Sequence, residues 1–134
     1  MPAGAELGYH LCYGSMNNKH WKEPADTRKL VEVANLLSAR IDRPIDWLHL
    51  PVPIDRDDDA YFAPLRELSS SETTLYLGLL HLQDGVAGAT RRAKAARRYT
   101  SDFGIAAECG LGRWNADAVP IWLELHRYAA DALQ

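Results

Sequence analysis

The chain lacks the features that mark membrane, secreted or nucleic-acid-binding proteins. No apolar run in its 134 residues approaches the roughly 20 residues that span a bilayer. The N-terminal segment, residues 1–9, has no basic stretch followed by an apolar stretch, the order that defines a signal peptide. The net charge is only −3, which gives no electrostatic basis for binding nucleic acid or an anionic membrane. We therefore expect a cytoplasmic protein with neither of these partners.

Cysteine is scarce, with only two residues, Cys12 and Cys109. Their number permits a disulfide, but cytosolic thiols are usually kept reduced, and paired cysteines there more often bind metal or react. The composition is otherwise ordinary, with 47% hydrophobic and 25% charged residues. Neither a linker nor an internal repeat divides the chain. We therefore expect a single domain over residues 1–134.

Four apolar segments are typical of strands that are covered on both faces. They are Leu7–Tyr13, Ile45–Val52, Thr74–Leu82 and Phe103–Cys109. Each is followed by a helical pattern, at about Asp26–Ile41, Asp58–Leu68, Val86–Tyr99 and Asp117–Leu133. Strand and helix repeated four times predict an α/β fold with a parallel sheet.

Two architectures fit this order of elements: half of a (β/α)8 TIM-type barrel, or a small open doubly wound sheet. The first strand-to-helix turn, Cys12–Ser15, has no dinucleotide-binding fingerprint, which weakens the doubly wound interpretation. Half of a barrel would expose two strand edges and an apolar patch. We therefore expect a homo-oligomer, or a partner chain that completes the barrel.

Candidate metal ligands occur where the predicted strands end, which is where parallel α/β folds place their functional residues. The first strand ends with His10 and Cys12, whose side chains alternate onto one face, and the fourth ends with Cys109. One histidine and two thiolates suit Zn²⁺ and leave a position open for substrate. Each residue alone is more often structural, but at these matching positions a zinc site and purely structural roles are equally compatible with the sequence.

Three short segments resemble cobalamin-independent methionine synthase. Tyr9–Tyr13 (YHLCY) is similar to the Thr-His-Met-Cys-Tyr strand that carries zinc ligands in that family, and Glu108–Leu111 (ECGL) is similar to its later Asp-Cys-Gly-Leu segment. Between them, Leu79–His81 (LLH) corresponds to the family's Asp-Ile-His. The order agrees with strands five to eight of the family's catalytic barrel.

This resemblance implies methyl transfer to a small-molecule thiol from a methyl donor. His10, Cys12 and Cys109 would hold Zn²⁺, which binds the acceptor as a nucleophilic thiolate. His81 would protonate the leaving group or orient the donor, and Arg113 would bind a carboxylate of the substrate. The family's amino-acid-binding and folate-binding elements lie largely in the other barrel half, so neither substrate is identified.

The second predicted strand departs from the family because it supplies no zinc-binding glutamate. Its counterpart, Leu48–Pro53, offers only His49, which is either a fourth ligand or a core histidine. Beyond it, Tyr61 and Phe62 are candidates for a pocket wall. Two other functions remain compatible with the sequence: a metal-free lyase similar to uroporphyrinogen decarboxylase, and a non-catalytic half-barrel that binds or assembles.

Two charged runs are interpreted as surface features. The acidic residues Asp57–Asp59 suit the start of a helix. The basic residues Arg91, Lys94 and Arg98 recur at helical spacing and form one solvent-facing stripe, with the intervening alanines directed inward. Neither run is assigned to a binding site.

Overall fold

A computed structural model describes residues 4–16, 19–69 and 72–133 of the chain. In chain order the elements are β1 (Gly8–His10), β2 (Ser15–Met16), β3 (Lys19–His20), α1 (Arg28–Arg40), β4 (Trp47–Pro51), α2 (Asp59–Phe62), β5 (Thr74–Leu80), α3 (Gly85–Ala96), β6 (Gly104–Ala107) and α4 (Val119–Leu133). Short 3-10 turns follow α2 and precede α4. Strand and helix alternate as the sequence predicts.

Four of the strands form one parallel sheet in the order β1-β4-β5-β6. Spatial order therefore equals chain order, as in consecutive βα units of a parallel fold. The two remaining strands, β2 and β3, form an antiparallel hairpin between β1 and α1. The predicted α/β class with four βα units is confirmed, and β1 and β6 are the edges of the sheet in the described residues.

Two of the strands are shorter than predicted at the end that carries the candidate ligands. β1 ends at His10 and β6 ends at Ala107, so Cys12 and Cys109 lie in the loops that follow. The second helix is also short, as expected from Pro64: its α-helical part ends at Phe62 and a 3-10 turn continues it.

The core lies between the sheet and the helices. Alternate leucines of β4 and β5 share one face of the sheet and are almost completely buried. They pack in one cluster with Leu30, Val31 and Ala34 of α1 and with the alanines of α3. In α1, Val31 takes the inward position, whereas Val33 is 43% exposed.

The other face of the sheet carries large rings opposite glycines. Gly8 pairs with Trp47, and Gly104 pairs with Tyr76. A side chain at either glycine would collide with the ring on the neighbouring strand. The glycines therefore let the rings lie across the strands, and Tyr76 keeps 38% of its surface exposed on this face.

Arg92 of α3 ties its helix to the end of β5. The side chain is fully buried, donates to the carbonyl oxygens of Leu79 and Ile54 at 2.9 and 2.7 Å, and binds both carboxylate oxygens of Asp84. Its neighbours Arg91 and Lys94 are exposed, as the sequence predicts. The burial of Arg92 is not predicted, and it fixes the turn that follows His81.

Candidate metal centre

Three side chains converge at the C-terminal ends of β1 and β6. The donor atoms of His10, Cys12 and Cys109 all lie within 4.8 Å of one another. His10 Nε2 and Cys109 Sγ are 3.7 Å apart. Within the described residues, no other group of histidine, cysteine and acidic side chains converges in this way. The three residues that the sequence singles out as metal ligands are therefore brought together by the fold.

The spacing suits a zinc ion. Zn–N bonds of about 2.0–2.1 Å and Zn–S bonds of about 2.3 Å at a tetrahedral angle separate nitrogen from sulfur by roughly 3.6 Å. The His10–Cys109 contact of 3.7 Å already has this length. Both cysteines are free thiols, and burial raises the pKa of Cys12. Binding a metal would therefore release protons from the thiols.

His49 lies beside this cluster but is not part of it. It pairs with His10 across β4 and β1, and the two Nδ1 atoms are 2.8 Å apart. Its ring is thus directed at another imidazole rather than at the two sulfur atoms. Burial lowers the pKa of both histidines, that of His49 to about 4, so both rings are neutral at pH 7.

His81 directly follows β5 and lies near Glu108, the residue before Cys109. Its Nε2 donates to the Val52 carbonyl oxygen at 2.8 Å, which leaves Nδ1 as an acceptor 3.8 Å from Glu108 Oε2. The side chain is only 7% exposed, and this burial lowers the pKa of His81 to about 4. At pH 7 the ring is therefore neutral, with its proton held at Nε2.

Glu108, next to Cys109 in the chain, is the acidic residue at the cavity end of the sheet. Its Oε1 lies 3.1 Å from His20 Nε2, a distance typical of an ion pair, although the alignment falls short of a hydrogen bond. The other nitrogen of His20 faces Glu23 at 3.0 Å. Burial raises the pKa of Glu108 to about 7, so the carboxyl group exchanges protons near neutral pH.

A cavity of about 110 Å³ lies beside the metal-ligand cluster. Its polar lining comes from both cysteines and from His20, His81, Gln83 and Glu108, and its apolar lining comes from Pro51, Leu80, Trp114 and Trp122. For comparison, an apolar cavity of roughly 150 Å³ holds benzene. The cavity therefore has room for the reacting end of a small molecule.

Two of the three predicted substrate-binding residues, Tyr61 and Phe62, do not lie at this cavity. Tyr61 and Phe62 are fully buried in the core, and neither lines the cavity. The Tyr61 hydroxyl donates to the Pro51 carbonyl oxygen at 2.8 Å and contacts the Tyr13 hydroxyl at 3.0 Å. The aromatic rings that line the cavity include that of Trp114. The side chain of Arg113 lies outside the described part of the structure.

The sequence contains five histidines, and four of them, at positions 10, 20, 49 and 81, surround the site. The fifth, His126 of α4, accepts a hydrogen bond from the Ala107 backbone N–H at 3.0 Å and donates to the Trp122 carbonyl oxygen at 2.7 Å. It thus holds the end of β6 just before Glu108. Sequence patterns do not single out His20 or His126, because nothing local shows what they contact.

No protein-family model, curated protein or solved structure matches the chain. The helices in the described ranges are also too short or too polar to cross a membrane. The arrangement of side chains is therefore the main basis for assigning a function.

Proposed function

We propose that this protein is a zinc-dependent alkyl transferase that methylates a small thiol, in the manner of cobalamin-independent methionine synthase. The observation that carries the proposal is the convergence of His10, Cys12 and Cys109 beside a small cavity at the C-terminal ends of parallel strands. The resemblance of three sequence segments to that family agrees with it.

The three ligands account for activation of the acceptor. Zinc held by His10, Cys12 and Cys109 would lower the pKa of a coordinated thiol and supply a thiolate at neutral pH. Because three protein ligands leave one tetrahedral position open, the substrate sulfur has a place to bind. Trp114, Trp122 and Leu80 supply an apolar wall for the carbon chain next to that sulfur.

His81 and Glu108 account for handling of the proton. In methyl transfer the acceptor sulfur gains the methyl group, and the leaving group of the donor must gain a proton. Val52 fixes the His81 ring with Nδ1 toward Glu108, and both side chains line the cavity. We assign delivery of the proton to this pair, with Glu108 exchanging the proton and His81 orienting it.

Binding of a thiol is tested with protein in which Co²⁺ replaces zinc. Adding small thiols is expected to change the visible absorption of Co²⁺ because a new sulfur ligand enters its coordination shell, and methylated thiol is then sought by mass spectrometry with a panel of methyl donors. H81A is expected to keep the thiol-dependent spectrum and to lose turnover. A spectrum that no thiol perturbs would contradict the proposal and favour a non-catalytic protein.

We also infer that the chain associates with itself or with a partner that continues the sheet. In the described residues β1 and β6 have one unpaired edge each, and Trp47 and Tyr76 lie on the face away from the helices. Unpaired edges beside an apolar face favour association. Sedimentation of the purified protein at micromolar concentration is expected to show a species larger than the 15.0 kDa monomer. A single monomeric species would contradict self-association.

A further inference from the structure

His49 is fixed next to the candidate metal centre by the pairing of two strands. His10 on β1 and His49 on β4 are direct partners in the sheet, and their Nδ1 atoms are 2.8 Å apart. The ring centroids lie 4.7 Å apart with planes tilted by 30°. A nitrogen–nitrogen contact this short is a hydrogen bond, in which one ring donates and the other accepts.

The direction of this hydrogen bond follows from the second nitrogen of His10. His10 Nε2 is the atom that faces Cys109 Sγ, at 3.7 Å. A nitrogen that binds a metal carries no proton, so a neutral His10 must carry its proton on Nδ1. His10 therefore donates from Nδ1, and His49 accepts at Nδ1 with its own proton on Nε2.

On the other side of the ring, His49 Nε2 is buried and has no hydrogen-bond partner among the described residues. The Ala107 backbone raises the pKa of His49, which is the effect of an acceptor near a ring N–H. Gly78 on the next strand leaves space for the ring, because a Cβ there would lie only 3.1 Å from His49 Nε2. The His49 backbone carbonyl also accepts from Leu11 N–H at 3.0 Å, which fixes the segment between His10 and Cys12.

We infer that His49 is a positioning residue for the metal centre: it accepts the His10 Nδ1 proton and thereby holds His10 Nε2 toward Cys109 Sγ. The inference rests on the metal site of the proposed function and adds to it a residue that touches neither metal nor substrate. It also differs from both alternatives that the sequence leaves open for His49, a fourth ligand or a core histidine. A histidine ligand held by a hydrogen-bond partner on its other nitrogen is a common feature of protein zinc sites.

The test compares two substitutions of similar size. H49N places an amide oxygen near the position of Nδ1 and keeps an acceptor, whereas H49L keeps the bulk and removes the acceptor. Zinc dissociation constants are measured for both variants and the unchanged protein by competition with a chromophoric chelator. H49L is expected to bind zinc roughly 10–100-fold more weakly, and H49N is expected to recover most of that loss. Equal affinities for H49L and the unchanged protein would overturn the inference, as would an equal loss in H49N and H49L.

A second measurement needs no substitution and so does not depend on whether the variants fold. Long-range ¹H–¹⁵N NMR of the zinc-loaded protein reports which nitrogen of each histidine carries a proton. We expect His10 to be protonated at Nδ1 and His49 at Nε2. A proton on His49 Nδ1 would overturn the inference.

The two experiments separate this inference from the proposed function. If the unchanged protein binds zinc and H49L binds it equally well, the metal site stands and the role of His49 falls. If the unchanged protein binds no zinc, the proposed function fails and the role of His49 fails with it.

Discussion

The sheet has a cavity at each end, and the two differ in both size and chemistry. The cavity at the C-terminal ends of the strands measures about 110 Å³ and is lined by both cysteines, two histidines and Glu108. The cavity at the N-terminal ends measures about 440 Å³, and its described lining, which includes Arg66, Thr74 and Asp102, contains no histidine or cysteine. The smaller cavity is the candidate site because it brings together groups that bind metal and move protons. Cavity volume alone would have selected the other end.

The arginines near the two cavities also differ in how strongly they are bound by their neighbours. Replacing one arginine at each end of the sheet and measuring the free energy of unfolding tests that difference. Arg92 is fully buried against the C-terminal end of β5, and R92M would leave two backbone carbonyls without this donor and Asp84 with its 3.2 Å contact to the exposed Arg91. We expect R92M to lower the free energy of unfolding by about 3–5 kcal/mol. Arg66, at the larger cavity, is exposed, and its contacts with the described residues are a 3.3 Å hydrogen bond to a backbone carbonyl and a ring contact with Tyr99.

For R66M we expect a loss of about 1 kcal/mol or less. Urea unfolding of the metal-free proteins provides both values. Equal losses of unfolding free energy in R92M and R66M would contradict the proposed difference between the two ends of the sheet.

A second pair of substitutions tests how closely the strands approach at the smaller cavity. A Cβ at Gly78 would lie 2.6 Å from Glu108 Cα, so G78A must displace backbone next to Cys109. We expect a loss of about 1–3 kcal/mol in unfolding free energy, together with weaker zinc binding. The control is G112A, since a Cβ at Gly112 meets no described atom within 4 Å outside its two chain neighbours.

G112A is expected to change the unfolding free energy by no more than about 0.5 kcal/mol. Urea unfolding and chelator competition are measured on both variants. Unchanged zinc affinity in G78A would contradict the close approach of β5 to the segment that carries Cys109.

The buried titratable groups at the smaller cavity predict a pH dependence of stability. Burial lowers the pKa values of His49 and His81 to about 4 and raises that of Glu108 to about 7. Between pH 6.5, the ordinary pKa of histidine, and pH 4.5, the unfolded chain binds one proton on each of the two histidines and the native protein does not. Over the same range the native protein binds a proton on Glu108 that the unfolded chain does not, which offsets one of those two protons. The free energy of unfolding of metal-free protein therefore falls as the pH falls through this window, by about 1.4 kcal/mol per pH unit for each net proton.

The substitution E108Q isolates the Glu108 contribution. It removes the proton that the native protein takes up between pH 7 and 4.5, so the fall in stability is expected to steepen by about 1.4 kcal/mol per pH unit. Urea unfolding at several pH values measures both slopes. A shallower slope in E108Q would contradict the assigned protonation of this carboxyl group.

The parts of the fold and site that follow from the sequence are those set by chain order. Apolar strands alternating with helices predict a parallel sheet, and parallel strands present their C-terminal ends at the same edge. His10, Cys12 and Cys109 follow from that rule, because each lies at or just after the end of a strand.

The parts that do not follow depend on which way a side chain turns. Tyr61 and Phe62 belong to a four-residue helix, and so short a segment has no periodicity to show that both rings face the core. Arg92 lies within a basic run that is otherwise exposed, and only the tertiary partners Asp84 and Ile54 explain its burial. The His20–Glu108 contact joins a hairpin to the far edge of the sheet, which no local pattern predicts.

The central claim is that the C-terminal end of the sheet binds zinc, and metal content tests it most directly. The protein is purified under reducing conditions without added metal and analysed for its elements beside C12S. We predict roughly one zinc ion per chain, as expected for a single three-ligand site, and its loss in C12S. A well-folded protein without zinc, or zinc retained in full by C12S, would contradict the metal centre and the thiol activation that depends on it.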